Sequence, residues 1–342
     1  MSDELQVCWE CPSNIALVKY WGKKEGQLPI NPSLSFSLKG AVTQTKVTLL
    51  PRGNERLVFL LEGKPSPFTA RIEGYLDLLA RELDWVDHYT FHIESRNTFP
   101  HSAGIASSAS GFGALALCLT ELDQKLTGDN SGNFLQKASR LARMGSGSAS
   151  RSVYPGFVWW GQSYLVPGSS DEYAIPVPQP FFPDCLGLRD AILLIDSGKK
   201  NVSSSVGHDL MTRHPYRQGR ISQAVSNGEE LLRLLHTGDY IRFFELVEEE
   251  AFSLHALMMS SSPAFMLLKP NSLRVIEKIR DFRNQTGLAA GLTIDAGPNI
   301  HFLYFGKDQE VVRRFIESEL LSLLENGTWL NDGIGDGPTR LK

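Results

Sequence analysis

Four stretches of the chain combine residue types able to hold an anion or move a proton. In HSAGIASSASGFGALALC, residues 101 to 118, the small residues Gly104, Ala106, Ser107 and Ser108 lead straight into an apolar run. Small side chains let a ligand approach the backbone, and the unpaired N–H groups and dipole of a helix start favour an anion there. Serine hydroxyls can add bonds to phosphate or ligate Mg²⁺. No Gly-Lys-Ser/Thr follows, so this is not a Walker loop, and the alternative is a tightly packed turn capped by serine. The second stretch, GSGSASR from Gly145 to Arg151, offers Ser146, Gly147 and Ser148 beside one guanidinium. Arginine can clamp a carboxylate or phosphate through two parallel hydrogen bonds, whereas a Gly-Ser loop after a helix can equally be a plain stop with a solvated turn.

The third stretch, NIALVKYWGKK, spaces Lys19 and Lys23 four apart around Tyr20 and Trp21. Read as a strand, it puts Lys19, Trp21 and Lys23 on one face and Tyr20 on the other. Two amines on one side could neutralise a diphosphate, and solvated lysines on an edge strand are the other reading. In the fourth, GLTIDAGPN, Asp295 ends an apolar strand next to a Gly-Pro turn. It is either a turn residue or, facing a phosphate-lined cleft, a candidate base. Cys8 and Cys11 form a C-x-x-C with no second pair to complete a zinc site, so they read as buried strand residues. His208-Asp209 reads as a helix-start pair, and neither HExxH nor GxSxG occurs.

The elements that must position these groups follow from periodicity. AVTQTKVTLL, RLVFLLEG and HYTFHIES alternate or are β-branched, and read as strands. A helix is expected from about Phe68 to Leu83, a buried one from near Ser108, and a third over NFLQKASRLARM. After the strand GFVWWGQ, the Pro-rich AIPVPQPFFPD reads as a hinge, which divides the chain into lobes 1–186 and 187–342. The second lobe should contain the strands AILLID, GLTI and IHFLYF, several helices between about Ser205 and Asn284, and a terminal helix over EVVRRFIESELLSLL. Consecutive strands and helices imply an α+β class.

The 342 residues are 42% hydrophobic and 21% charged, the balance of a folded globular protein. A net charge of -4 gives no overall basic field and argues against a nucleic-acid partner. Four dispersed cysteines do not make a disulfide scaffold, and no stretch approaches the roughly 20 apolar residues of a membrane span. A cytoplasmic protein without membrane contact is expected.

Taken together, NIALVKYWGK, PINPSLSFSL, AGIASSAS, RMGSGSASRS and LTIDAGPN resemble the diphosphomevalonate decarboxylases of the galactokinase, homoserine kinase, mevalonate kinase and phosphomevalonate kinase superfamily. The resemblance spans about residue 9 to residue 305. It implies a two-lobed GHMP-kinase-like fold, with a left-handed β-α-β unit in the first lobe, a ferredoxin-like second lobe and substrates between them. The implied substrates are ATP, accompanied by Mg²⁺, and mevalonate 5-diphosphate, and the implied assembly is a homodimer. By the same resemblance Asp295 is the catalytic aspartate and Arg151 faces the substrate carboxylate. Lys19, Tyr20, Lys23, Ser146, Gly147, Ser148 and Ser204 fall at positions that bind the isoprenoid substrate. Asn97, Gly104, Ala106, Ser107, Ser108, Lys199 and Lys200 fall around ATP, with Ser107 or Ser108 on the metal.

The sequence also departs from the family pattern. Gly207-His208 stands where many members have Gly-Met, Ser205 replaces an arginine of some bacterial members, and Pro155 interrupts Tyr-Gly-Gly. Sister activities on the same loops are a kinase that stops at the 3-phosphate and a decarboxylase of the 5-monophosphate. A catalytically silent binding protein is the alternative of another class.

Overall fold

A computed structural model describes residues 5–100, 105–130, 132–198 and 204–342. The first lobe is built on a long hairpin, β1 (Leu5–Ala16) against β2 (Ser33–Pro51). From Thr43 to Leu49 alternate residues of β2 are fully buried, which is the period of a strand with one face on a core. The strands β3 (Leu57–Leu61) and β4 (Lys64–Pro65) follow, then α1 (Thr69–Leu79) and β5 (Tyr89–Asn97). β3 and β5 pair in parallel, so α1 is the crossover of a β-α-β unit and lays Ile72, Tyr75, Leu76 and Leu79 on the sheet. It ends four residues before the expected Leu83. The N–H groups of Glu82 and Leu83 both turn back to the Leu79 carbonyl, which tightens the chain out of the helix.

The core of this lobe forms around α2 (Ser107–Thr127), whose Leu115, Leu119 and Leu122 are fully enclosed. Truncating such a leucine to alanine typically costs about 2–5 kcal/mol. α3 (Phe134–Gly145) starts where the Asn133 side chain accepts the Gln136 N–H, and a short α4 (Ala149–Ser152) comes next. β6 (Phe157–Trp160) pairs with the first part of β2, and β7 (Ala174–Pro176) with β6.

The second lobe is a four-stranded antiparallel sheet. Its strands are β8 (Leu188–Leu193), β9 (Ala290–Thr293), β10 (Ile300–Phe305) and β11 (Trp329–Gly333), in the order β11-β8-β10-β9. Counted along the lobe this is four-one-three-two, the ferredoxin-like order. The first crossover is enlarged to α5 (Ser204–Leu210), α6 (Arg217–Thr237), α7 (Tyr240–Met259) and α8 (Pro270–Thr286). The second carries α9 (Gln309–Phe315), and the single terminal helix expected there breaks into a π turn and a 3₁₀ turn over Ile316–Leu323.

Among the contacts that tie the lobes together, two come from the end of the second. β12 (Thr339–Leu341) returns to the first sheet and pairs with β1, setting Cys8 opposite Leu341. The Asp332 carboxylate of β11 accepts the backbone N–H groups of Lys39, Gly40 and Ala41 at 2.8 to 2.9 Å.

Candidate active site

A cavity of about 290 Å³ lies between the lobes, lined by residues of both. Its floor is the segment after β1. There Leu17 and Val18 both direct their N–H groups at the Leu34 carbonyl, so residues 17 to 22 leave the sheet. The strand reading of NIALVKYWGKK therefore fails past Ala16, and with it the assignment of Tyr20 to an opposite face. Lys19, Tyr20, Trp21 and Lys23 all line the cavity.

Lys19 is not a solvated edge lysine. Its side chain is 2% exposed and its ammonium donates to Asp295 Oδ1 at 2.6 Å. The backbone is held equally firmly, since Glu250 accepts the Lys19 N–H at 2.9 Å while Arg220 and Asn31 donate to the Lys19 carbonyl. Arg220 and Glu250 pair through two bonds of 2.6 and 2.7 Å with both side chains enclosed. Asp295 follows β9 and remains 25% exposed. Its carbonyl lies 3.1 Å from Nε2 of His255 on α7. Burial pushes the His255 pKa down to about 4, so a neutral ring donates there.

On the opposite wall, α4 presents Arg151, which is 2% exposed. Its Nε donates to Asn14 Oδ1 at 3.1 Å and one terminal nitrogen to Ser33 Oγ at 2.9 Å, and the group lies over the Trp160 ring. Burial lowers its pKa to about 10, opposed by the Asp295 carboxylate, so it stays charged at neutral pH. Among the described residues no carboxylate pairs with it, and a desolvated guanidinium of this kind suits an incoming anion.

The Gly-Ser loop is packed rather than solvated. A Cβ on Gly147 would stand 2.7 Å from Tyr20 Oη, so only glycine lets the loop close on that ring. Ser146 Oγ lies 3.4 Å from both Ser108 Oγ and Ser148 Oγ, which joins this loop to the start of α2. Ala106, in the left-handed region at φ 45°, precedes that helix and no side chain caps it. Ala106 and Ser108 line the cavity, but Ser107 does not.

Asn97 is set back on β5. It accepts from Thr43 Oγ1 at 2.7 Å, and that hydroxyl also meets Ser110 Oγ on α2. Gly104, Lys199 and Lys200 lie outside the described residues, as do the side chains of Ser204 and Ser205.

Several wall residues escaped the sequence reading. Arg71 of α1 reaches the cavity, donates to the Gly145 carbonyl at 3.2 Å and covers the Phe112 ring, yet a lone arginine in a helix gives no signal. Asn14 donates to Ser152 Oγ and the Ser148 carbonyl while holding Arg151, and it stood unremarked inside NIALVKYWGK. His208 does not start a helix. It lies near the end of α5, lining the cavity, and its Nδ1 accepts the Gly22 N–H. Cys11 is buried and Cys8 half-buried on β1, as strand residues.

Two family models match the chain. The diphosphomevalonate decarboxylase-like N-terminal domain covers residues 11–173, and the mevalonate 5-diphosphate decarboxylase C-terminal domain covers residues 191–326. The chain is 32% identical to a diphosphomevalonate decarboxylase of Candida albicans, over 88% of its own length and 84% of that protein's. It is 31% identical to one of Danio rerio, over 94% and 82% respectively. Among solved structures, it is similar to mevalonate diphosphate decarboxylase from Staphylococcus aureus, with a TM-score of 0.86, 29% identity and coverage of 99% and 98%. It is also similar to MDDEF in complex with MVAPP, AMPPCP and magnesium, with a TM-score of 0.84, 30% identity and 99% of both chains covered.

Proposed function

Because the chain belongs to the diphosphomevalonate decarboxylase family, we propose that it converts mevalonate 5-diphosphate and ATP to isopentenyl diphosphate, ADP, phosphate and CO₂. This is a step of the mevalonate pathway to isoprenoids. The observation that carries the reading is one cavity holding both the 2.6 Å Lys19–Asp295 pair and the buried Arg151 guanidinium.

A 3-hydroxy carboxylate loses CO₂ reluctantly, because hydroxide leaves poorly and no ketone accepts the electrons. Transfer of the γ-phosphoryl of ATP to the 3-oxygen makes that oxygen a good leaving group. The C–O bond then breaks with departure of phosphate, and the electrons of the bond to the carboxylate carbon form the new C=C as CO₂ leaves. Asp295 orients the 3-hydroxyl and takes its proton, and Lys19 fixes the carboxylate that does so. Arg151 holds the substrate carboxylate in line until the bond breaks. Tyr20, Lys23, Ser146, Gly147 and Ser148 take the diphosphate, with Arg71 beside them and Ser204 in the same role. Ala106 and Ser108 at the open start of α2 receive the ATP phosphates, as do Gly104, Lys199 and Lys200, with Asn97 towards the adenine.

Among the described residues no group of three or more His, Cys, Asp or Glu could hold a metal. Of the two serines expected to meet Mg²⁺, Ser107 and Ser108, it is Ser108 whose side of the helix start lines this wall, next to the phosphates the ion would share. Mg²⁺ keeps several of its waters and shares substrate phosphates, so it needs few oxygens from the protein. Bound there, it would offset charge on the phosphoryl group in transfer.

The proposal includes a lobe boundary at residues 186/187, a cytoplasmic location, and a homodimer without nucleic-acid or membrane partners. Supporting it, the strands change sheet between β7 and β8, and the four cysteines are free. No helix of the described residues is long and apolar enough to cross a membrane. Sedimentation measures the assembly.

The test of the reaction is incubation with ATP, Mg²⁺ and either mevalonate 5-diphosphate or the 5-monophosphate, following ADP and CO₂ together. The expected result is equal release of both products, with kcat/KM for the diphosphate at least about tenfold higher, since each charge-assisted hydrogen bond is worth ~1.5–3 kcal/mol. ADP without CO₂ identifies a 3-kinase. Equal kcat/KM values identify a monophosphate decarboxylase.

A further inference from the structure

His208 stands in the cavity wall with no part in the reaction above. Its place is set by close packing of α5 over the Tyr20–Trp21 segment. A Cβ on Gly207 would lie 2.4 Å from the Trp21 ring, so only glycine allows the approach. The next residue then meets two aromatic rings, with centroids 4.5 Å from Tyr20 and 4.8 Å from Trp21.

Polar geometry fixes its protonation. His208 Nδ1 lies 2.9 Å from the Gly22 backbone nitrogen. An amide N–H can only donate, so Nδ1 must be the unprotonated nitrogen, and a neutral imidazole then carries its proton on Nε2. Burial, aided by the nearby Lys23 ammonium, pushes the pKa down to about 3, which keeps the ring neutral at physiological pH. No described residue accepts a hydrogen bond from Nε2. The cavity wall therefore holds a donor of fixed tautomer, its ring tilted against that of Tyr20 and near Lys23.

We propose that His208 is a specificity-determining residue that donates Nε2–H to a phosphoryl oxygen at the diphosphate end of the substrate. The inference rests on reading the Tyr20 and Lys23 side of the cavity as the diphosphate site. It adds a donor of a different kind from the lysines. Lys23 attracts any anion from a distance, whereas a neutral, clamped ring rewards only an acceptor at one position, which favours the longer diphosphate over a single phosphate.

Two measurements decide it. In kinetics, His208→Met removes the donor and His208→Gln retains an amide N–H. The expected outcome for His208→Met is a rise of about tenfold or more in KM for mevalonate 5-diphosphate, with kcat and the KM for ATP within about threefold, and partial recovery in His208→Gln. Wild-type KM for the diphosphate in His208→Met overturns the proposal.

The second measurement uses the unmodified enzyme and so does not depend on a variant folding. Imidazole ¹⁵N–¹H spectra at neutral pH should show His208 protonated at Nε2 alone, with that resonance moving on titration with inorganic pyrophosphate. A proton on Nδ1, or a resonance indifferent to pyrophosphate, overturns the proposal. Turnover by the wild type tests the reaction itself. If the wild type consumes no mevalonate 5-diphosphate, that reading falls, and the pyrophosphate titration still decides whether His208 is a phosphate donor.

Discussion

At the scale of single residues, the contact between Lys19 and Asp295 states what the carboxylate must do. Asparagine at 295 preserves the shape of the side chain but cannot accept a proton. Asp295→Asn should therefore lower kcat by at least ~100-fold, the usual loss for a general base, with the Kd for ATP nearly unchanged in a calorimetric titration. Wild-type turnover would remove Asp295 from the mechanism. Behind it, His255 makes a second prediction, about pH. Its folded pKa of about 4 lies below the ordinary 6.5, so between those values the unfolded chain binds more protons than the fold. Its contribution is complete above about pH 6.5, declines as pH falls towards 4, and is constant below that. The full span is about 3 kcal/mol. His255→Gln keeps an N–H for the Asp295 carbonyl and has nothing to titrate, so urea midpoints measured between pH 4 and pH 6.5 should vary less steeply than in the wild type. An unchanged slope assigns the pH dependence to other groups.

At the scale of elements, what could be read in advance was what repeats. The alternation along β2 and the apolar faces of α1 and α2 identify strand and helix without tertiary help, and the small residues before α2 mark an open helix start. Residues 17 to 22 were misread because no local period governs them. Lys19 is held by Glu250, 231 positions away, and a lysine looks solvated until the groups that bury it are known. The break after Phe315 was hidden for a similar reason, since EVVRRFIESELLSLL keeps helical spacing through the π turn. The pairing of Arg220 on α6 with Glu250 on α7 is thus a structural device that serves Lys19. Arg220→Met leaves Glu250 buried without its cation, a change that usually costs about 3–5 kcal/mol. Urea unfolding should show that loss. Glu250 would also hold the Lys19 N–H less firmly, so kcat should fall even at temperatures where the variant is fully folded. A folded variant with wild-type kcat would show that the pair stabilises α6 and α7 without positioning Lys19.

At the scale of the whole molecule, the cavity exists only while the lobes keep their relative position, because Asp295 and His208 come from one lobe and Arg151 and Lys23 from the other. Asp332 is the most economical fastening, one 6% exposed carboxylate taking three N–H groups of β2. Asp332→Ala strands those donors and should destabilise the protein by about 2–4 kcal/mol. In calorimetry the variant should show a broadened or divided transition as the lobes begin to melt apart, whereas a sharp transition at the wild-type temperature would mean that the other contacts suffice. The β12 strand has a consequence in time as well as in space. A ribosome adds roughly 5–20 residues per second, so β1 waits on the order of 20–70 s after its own synthesis before its neighbour at Thr339–Leu341 emerges. Through that interval one border of the first sheet presents unpaired N–H and C=O groups, and a nascent chain in that state is open to pairing with another copy of itself.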